Sequence, residues 1–183
     1  MRDVAVLVGS LRKASFNRKM AHALREIAAG SLALEEVAIG DLPLYNEDLE
    51  ADVPPAWAAF RERMHRADAV LFVTPEYNRS VPGLLKNAID VGSRPYGKSV
   101  FSRKPAAVVS VTQGLLGAFG ANHHLRQSLV FLDMPTLQQP EVYIGGAAKL
   151  FDEHGTLTND DVRKFLKKFA DDFATWIEKT RQS

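Results

Sequence analysis

Three short segments of the chain are almost entirely apolar and rich in β-branched side chains. They cover residues 4–8, 69–73 and 106–111. Their hydrophobicity is continuous rather than alternating, which is typical of parallel strands that are covered on both faces. We therefore predict that these segments are the central strands of a parallel sheet.

Two further segments are weaker strand candidates that fit the edges of such a sheet. Residues 32–39 carry Glu35 and Glu36 within an apolar run, as an edge strand can. Residues 136–144 form a less regular pattern that fits the other edge. With these two segments the sheet has five predicted strands.

Apolar residues recur with helical spacing between the predicted strands. The sets that share one helix face are Met20, Leu24, Ile27 and Ala28; Trp57, Phe60 and Met64; Leu84, Leu85, Ala88 and Ile89; and Leu125, Leu129 and Leu132. A last helix follows residues 158–161, which resemble a capping box. Its apolar stripe, which we expect to pack in the core, is Val162, Phe165, Leu166, Phe169, Phe173, Trp176 and Ile177.

Strands that alternate with helices predict a doubly wound α/β sandwich. Five strands favour the flavodoxin-like strand order 2-1-3-4-5, in which ligands bind at the carboxyl ends of strands one, three and four. A chain of 183 residues has the length of one domain, so we expect a single domain that spans residues 1–183.

Composition narrows the possible functions. Hydrophobic residues make up 46% and charged residues 25% of the chain, as in an ordinary globular protein. There is no cysteine, which excludes disulfides, thiolate metal sites and a cysteine nucleophile, so redox chemistry requires a bound cofactor. The 23 basic and 22 acidic residues leave a net charge of +1, which offers no bulk attraction for nucleic acid or an anionic membrane.

Neither a membrane span nor a signal peptide is visible in the sequence. No apolar run approaches the ~20 residues that a bilayer requires. The chain passes from Met1, Arg2 and Asp3 directly into the first predicted strand, without the apolar region and cleavage site of a signal peptide. We therefore expect a cytoplasmic protein with no membrane partner and no nucleic-acid partner.

The loop after the first predicted strand has the composition of a phosphate-binding loop. It covers residues 9–18 and offers the polar side chains of Ser10, Ser15 and Asn17 together with the guanidinium of Arg12. The N-terminus of the following helix adds free N–H groups and the positive end of the helix dipole. The loop matches neither the P-loop nor the three-glycine dinucleotide pattern, so a phosphomonoester fits it better. The alternative is that Ser15 or Asn17 only caps the helix.

The loop after the third predicted strand has the composition of a ring-binding loop. It covers residues 74–83, in which Pro75 and Pro82 stiffen the backbone and Tyr77 offers a flat face. On its own, such a loop is also typical of an ordinary strand-to-helix connection.

The fourth predicted strand ends in a glycine-rich stretch, residues 112–120. Glycine allows a backbone to approach a ligand closely, although it also serves ordinary turns. Gly114 is the first candidate in this stretch, and Gly117 and Gly120 are weaker ones. All three loops follow strands whose carboxyl ends are expected to face the ligand.

Three motifs in these regions resemble those of one enzyme family. They are Gly9-Ser10-x-Arg12-x-x-Ser15-x-Asn17; Pro75-Glu76-Tyr77-Asn78 with Ser80 and Pro82-Gly83; and Leu85-Lys86-Asn87-Ala88-Ile89-Asp90. On these motifs the chain resembles the NADPH-dependent FMN reductase family, and within it the bacterial chromate and quinone reductases. The resemblance extends from Val4 to about the end of the last helix.

The resemblance implies a flavodoxin-like three-layer sandwich that binds FMN non-covalently. Such an enzyme takes a hydride from NADPH or NADH and passes electrons to quinones, chromate or other metal oxyanions, azo compounds or flavins. Carried over by position, the residues that would hold the FMN phosphate are Ser10, Arg12, Ser15 and Asn17. Those that would line the isoalloxazine, mostly through backbone, are Pro75, Glu76, Tyr77 and Asn78, with Ser80 in the same loop and Gly114 on the other side.

The resemblance also implies a homodimer or homotetramer with the flavin site near the subunit interface, and residues 86–94 are similar to the family's subunit-contact helix. Hydride transfer uses the flavin itself, so no catalytic triad is expected. Our hypothesis is a ping-pong cycle in which NAD(P)H reduces FMN and leaves before the acceptor binds. Near the pocket mouth, Arg79, Arg94 or Arg103 would attract an anionic acceptor or the NADPH phosphate.

Other functions stay open as alternatives. A flavodoxin-type electron carrier normally displays an acidic docking face, which a nearly neutral chain does not suggest. A phosphoryl-receiver module needs acidic residues where this chain has Gly9-Ser10 and Pro75-Glu76. A non-catalytic FMN-binding regulator is a further alternative. The sequence does not distinguish NADPH from NADH or identify the physiological acceptor, and we expect the histidines at 123, 124 and 154 to be structural or exposed.

Overall fold

The computed structural model describes residues 1–181 and contains a five-stranded parallel sheet with helices on both faces. The strands are β1 (Arg2–Val8), β2 (Leu32–Glu36), β3 (Ala69–Thr74), β4 (Ala106–Val111) and β5 (Val142–Ile144). The helices are α1 (Phe16–Ala28), α2 (Pro55–Arg66), α3 (Gly83–Gly92), α4 (Phe119–Phe131) and α5 (Asp160–Arg181). The strand order is β2-β1-β3-β4-β5, so the predicted flavodoxin-like order is confirmed. Residues 182–183, the end of the predicted domain, lie outside the described residues.

The two faces of the sheet bury separate apolar layers. Because side chains alternate along a strand, Val4 and Val6 of β1 pack with α1 and α5, whereas Ala5 and Leu7 pack with α2, α3 and α4. Within the first layer Phe169 and Phe173 of α5 are buried, and Phe165 and Trp176 are partly buried against them, so the aromatic stripe is core packing as predicted. Burial on both faces explains why the central strands are continuously apolar.

Both edge strands are shorter than predicted. β2 ends at Glu36; the Val37 N–H still donates to the Val6 carbonyl at 2.9 Å, and beyond it Ile39 packs with Val37 into the layer with α2 and α3. At the other edge, Thr136 forms an isolated bridge with Ala106 before the chain leaves the sheet. Pro140 has no N–H to donate, so the ladder resumes only at β5.

The start of the last helix also differs from the prediction. The side-chain oxygen of Asn159, rather than that of Thr158, accepts a hydrogen bond from the Val162 N–H at 2.9 Å. The Thr158 hydroxyl instead donates to the carbonyl of Leu150 at 3.2 Å. Across residues 1–181, no helix combines the length and the hydropathy needed to cross a bilayer.

Candidate functional site

The carboxyl ends of β1, β3 and β4 meet at one edge of the sheet and open into a pocket. The parallel register pairs Val8 with Val73 and Thr74 with Ser110, so the loops that follow these strands start side by side. The residues that line the pocket are Ser10, Arg12, Ser15, Phe16, Asn17, Pro75, Glu76, Tyr77, Val111, Thr112 and Gln113. The structure therefore brings parts of all three predicted loops into one site.

The first wall of the pocket is the cradle, residues 9–18, which spans the loop after β1 and the start of α1; its Arg12 side chain is exposed, but its neutral polar side chains facing the pocket are buried. Ser10, Ser15 and Asn17 are only 3–4% exposed. The Ser15 oxygen accepts a hydrogen bond from the Arg18 N–H at 3.3 Å, so this residue does cap α1. A hydroxyl that accepts one bond still has its hydrogen to donate, so the cap and a phosphate contact are compatible.

Asn17 ties the cradle to the fourth strand and leaves one polar atom unused. Its Nδ2 donates to the carbonyl of Val111 at 3.3 Å. Its Oδ1 is buried, and no donor within residues 1–181 bonds to it. A buried acceptor without a donor costs about 1–3 kcal/mol, so a ligand hydroxyl that reached this atom would relieve the penalty.

These donors and this acceptor fit FMN. The hydroxyls of Ser10 and Ser15, the Arg12 guanidinium and the first-turn amides of α1 are donors suited to a phosphate. The unsatisfied Asn17 oxygen suits a hydroxyl, and the FMN ribityl chain carries hydroxyls next to its phosphate. The cradle therefore matches both chemical parts of the FMN side chain.

The second wall is the ring loop, residues 75–80, which is a tight turn. Tyr77 and Ser80 exchange two backbone hydrogen bonds of 3.0 Å. Asn78 and Arg79 at the tip lie in the left-handed region, with φ of 52° and 63°. Residues other than glycine adopt this conformation at a cost, so surrounding contacts must hold the turn in place.

The Glu76 side chain holds part of this turn. One of its oxygens accepts the Ala121 N–H at 3.0 Å, and the other accepts from the Arg79 guanidinium at 3.1 Å. Ser80 makes a second contact with α4, a 2.7 Å hydrogen bond between its hydroxyl and Nδ1 of His124. The ring loop is thus attached to the first turns of α4.

The third wall differs from the prediction. Thr112 and Gln113 line the pocket, whereas Gly114, Asn78 and Ser80 are outside the set of lining residues. Sequence reasoning missed Thr112 and Gln113, which directly follow β4, and also Phe16 and Val111. Their position directly after a central strand is the sequence feature that indicates a pocket residue. The glycines of the same stretch were preferred as candidates because glycine allows a close approach to a ligand.

The three predicted substrate arginines lie in different places. Arg79 is exposed at the tip of the ring loop, beside the pocket. Arg94 follows α3 and bonds to the Tyr45 hydroxyl at 3.0 Å and to Glu47 at 3.2 Å. It does not line the pocket of its own chain, because these contacts hold it against the segment that follows β2.

Arg103 lies at the opposite edge of the sheet, so the prediction that it is near the pocket mouth is wrong. It precedes β4, whose six residues separate the two edges by roughly 20 Å. Arg103 lines a larger cavity there, about 540 Å³, together with Lys104 and Arg181. The Lys104 ammonium donates to the carbonyls at the end of α2, and Arg181, at the end of α5, pairs with Asp68. Positive side chains are stabilised at the carboxyl ends of helices, which accounts for the cations at this edge.

Large apolar side chains are exposed on the loops at the carboxyl edge and on the first residue of α4. They are Leu11, Leu44, Tyr77, Leu115, Leu116 and Phe119. These loops follow β1, β2, β3 and β4, so the pocket opens among apolar groups. Such a rim suits a flat apolar molecule or a second protein surface.

A family model matches most of the chain. The model describes the NADPH-dependent FMN reductases and covers residues 2–149. The matched region includes all three walls of the pocket and ends before α5.

Named relatives match over nearly their whole length. A quinone reductase of Pseudomonas putida is 68% identical over 98% of this chain and 96% of its own. A 2-hydroxy-1,4-benzoquinone reductase of a Burkholderia species is 44% identical over 97% of both chains. Among solved structures, the flavoenzyme NAD(P)H:(acceptor) oxidoreductase FerB of Paracoccus denitrificans is 44% identical, with a TM-score of 0.93 over 98% of both chains.

The comparisons agree with the geometry of the site. They confirm the predicted fold, and they confirm FMN and NAD(P)H as the cofactor and the reductant of the family. The roles of individual pocket residues stay predictions. The chain belongs to the NADPH-dependent FMN reductase family.

Proposed function

We propose that this protein is an FMN-dependent NAD(P)H oxidoreductase that reduces quinones. The observation that carries the proposal is the pocket in which the donor-rich cradle, the ring loop and residues 111–113 meet. The relatives named as quinone reductases support the substrate class.

Bound FMN would supply the redox chemistry, because it accepts a hydride from NAD(P)H and delivers two electrons to an acceptor. The residues of this chain would bind and orient it. The phosphate would lie against Ser10, Arg12 and Ser15, and Asn17 Oδ1 would accept a hydrogen bond from the ribityl chain. The backbone of residues 75–78 would border the ring, and the apolar rim would exclude water and receive a flat acceptor. Since the two substrates would share this open face, they would bind in turn.

Steady-state kinetics test this proposal. NADPH oxidation is followed at several fixed concentrations of a benzoquinone, with the protein loaded with FMN. A ping-pong cycle predicts parallel lines in a double-reciprocal plot. A flavodoxin-type carrier or a non-catalytic regulator would show no sustained NADPH oxidation by the isolated protein, and that result would refute the proposal.

We propose chromate and other metal oxyanions as further acceptors. Arg79 supports this, because its guanidinium is exposed at the tip of the ring loop even though it also donates to Glu76. Arg79→Ala is then expected to raise KM for chromate and to leave KM for a neutral benzoquinone unchanged. Equal effects on both acceptors would contradict an electrostatic role for Arg79.

We also propose that the protein is a homodimer or homotetramer whose flavin pockets lie near a subunit interface. Tyr96 and Phe131 support assembly, since both are more than 80% exposed and line one cavity at the sheet edge that carries Arg103. An interface beside the pocket is supported instead by the exposed side chains of Leu115, Leu116 and Phe119 at the carboxyl edge. Multi-angle light scattering tests the assembly, with Phe131→Asp as the disrupting variant. A wild-type chain that scatters as a 20.2 kDa monomer would contradict the proposal.

The remaining expectations are proposals as well. We propose that residues 1–183 act as one FMN-binding domain in the cytoplasm, where a reaction of this kind finds reduced nicotinamide nucleotide. Cell fractionation followed by immunodetection tests the location, and recovery of the protein with the membrane fraction would refute it.

A further inference from the structure

We propose that Glu76 is a positioning residue, whose carboxylate clamps the ring loop to the first turn of α4 and so fixes the spacing between two walls of the flavin pocket. The proposal rests on the proposed function for its catalytic meaning. The clamp itself is a contact within the protein, so it can be tested without turnover.

The first turn of α4 has no cap from its own segment. Ala118, the residue before the helix, lies in the left-handed region with φ of 60° and has no side chain that can accept a hydrogen bond. The Ala121 N–H, one of the first amides of the helix, donates to Glu76 instead. A carboxylate at the N-terminus of a helix also interacts favourably with the positive end of the helix dipole. The cap of α4 is therefore supplied by the ring loop.

The carboxylate is enclosed at this position. The Glu76 side chain is 12% exposed, so its bond to Ala121 is shielded from water. A β-carbon placed on Gly120 would lie 2.9 Å from a Glu76 oxygen and 3.2 Å from the Arg79 carbonyl. A side chain at position 120 would therefore displace the Glu76 carboxylate from the helix and crowd the Arg79 carbonyl.

The clamp joins two walls of the pocket at the first turn of α4, and the hydrogen bond between Ser80 and His124 joins them one turn further along. The ring loop follows β3 and contributes Pro75 and Tyr77 to the pocket. Thr112 and Gln113 on the opposite wall belong to the segment that leads from β4 into α4. Holding α4 against the ring loop therefore limits how far the two walls can separate.

The clamp also stabilises the strained backbone of the turn. Asn78 and Arg79 hold left-handed backbone conformations, which persist only where neighbouring contacts enforce them. Both Glu76 oxygens are engaged, one with α4 and one with Arg79. The side chain thus acts within the protein, while the loop's backbone is left to face a ligand.

Four variants test the clamp. Glu76→Ala removes it, Glu76→Gln keeps an oxygen that accepts the Ala121 N–H, and Gly120→Ala displaces the carboxylate from the helix side. Gln127→Ala, at an exposed position on α4, is the matched control. The readouts are the dissociation constants of FMN and of riboflavin, the visible spectrum and midpoint potential of the bound flavin, and the exchange rate of the Ala121 amide proton.

Loss of the clamp is expected to weaken FMN and riboflavin alike, by about tenfold, because the ring loop contacts the part that they share. In Glu76→Ala and in Gly120→Ala the flavin spectrum and potential shift, and the Ala121 amide exchanges at least about tenfold faster. Glu76→Gln restores most of the affinity and the amide protection. Gln127→Ala behaves as the wild type.

Several results would overturn the proposal. One is an unchanged flavin affinity and spectrum in Glu76→Ala, and another is a Glu76→Gln variant as impaired as Glu76→Ala, which would indicate a role for the charge itself. Unchanged Ala121 exchange in the FMN-free Glu76→Ala protein would refute the clamp directly. A wild-type protein that binds no flavin would instead refute the proposed function, and the exchange measurement would still decide the clamp.

Discussion

Replacing Ser15 with alanine separates two roles that the structure assigns to one hydroxyl. The oxygen caps α1 through the Arg18 N–H, and the same group lines the pocket at the proposed phosphate position. The cap affects the stability of the protein without ligand. The phosphate contact affects only ligands that carry a phosphate.

The two effects have different expected sizes. The capping bond is 3.3 Å long, beyond the usual 2.7–3.2 Å range, so its loss is expected at the low end of the ~0.5–2 kcal/mol for such caps. Ser15 is only 3% exposed, and a hydrogen bond to a charged group is worth about 1.5–3 kcal/mol. We therefore expect FMN affinity to fall roughly 10- to 150-fold.

The assay compares FMN with riboflavin, which lacks the phosphate. Binding of both is followed by the change in flavin fluorescence, and urea unfolding of the FMN-free protein reports the cap. Ser15→Gly is the matched control, because glycine at the N-cap position costs only a few tenths of a kcal/mol while it also removes the hydroxyl. We expect both variants to lose FMN affinity to the same extent and to bind riboflavin as the wild type does.

Two results would refute a phosphate contact at Ser15. If Ser15→Ala lowers the free energy of unfolding while both variants bind FMN normally, then Ser15 is only a helix cap and the cradle assignment is wrong. If riboflavin affinity falls as much as FMN affinity, the loss arises from the fold and not from a phosphate contact.

Two further predictions concern stability. Gly117 has φ of 60°, and a β-carbon there would lie 2.6 Å from the carbonyl carbon of Tyr143. Gly117→Ala is therefore expected to lower the free energy of unfolding by roughly 2–4 kcal/mol, measured by urea titration. An unchanged urea midpoint would contradict this. Burial lowers the pKa of Lys104 from 10.5 to about 8, so between these values the unfolded chain binds more protons and stability rises with pH. Lys104→Met is expected to flatten this rise between about pH 8 and pH 9.5, and an identical pH dependence in variant and wild type would refute it.

The sequence predicted the central part of the fold because one physical cause dominates there. Strands that are buried on both faces must be apolar throughout, and this marks β1, β3 and β4 directly. The ends of the edge strands depend on individual features, such as the missing N–H of Pro140 in the ladder and the packing of Val37 into the core. These strand ends are set by contacts between segments that are distant in sequence, so the local pattern of residues indicates them only weakly.

The candidate site was likewise predicted in part: the sequence indicated its two main loops but not the contacts between them. The cradle and the ring loop were found because their residue types are unusual for a connection and each follows a central strand. The contact between Glu76 and Ala121 was not found, since it joins residues 45 positions apart and involves a backbone amide that any residue carries. Arg103 comes just before β4, and a residue in that position lies at the amino edge of a parallel sheet, away from the carboxyl edge where ligands bind.

The most direct test of the account is the visible absorption spectrum of the purified protein under anaerobic conditions. FMN is supplied first, NADPH is added next, and a benzoquinone is added last. We expect flavin bands on the protein that bleach with NADPH and return with the quinone. A protein that retains no flavin, or whose bound flavin does not bleach with NADPH, would contradict it.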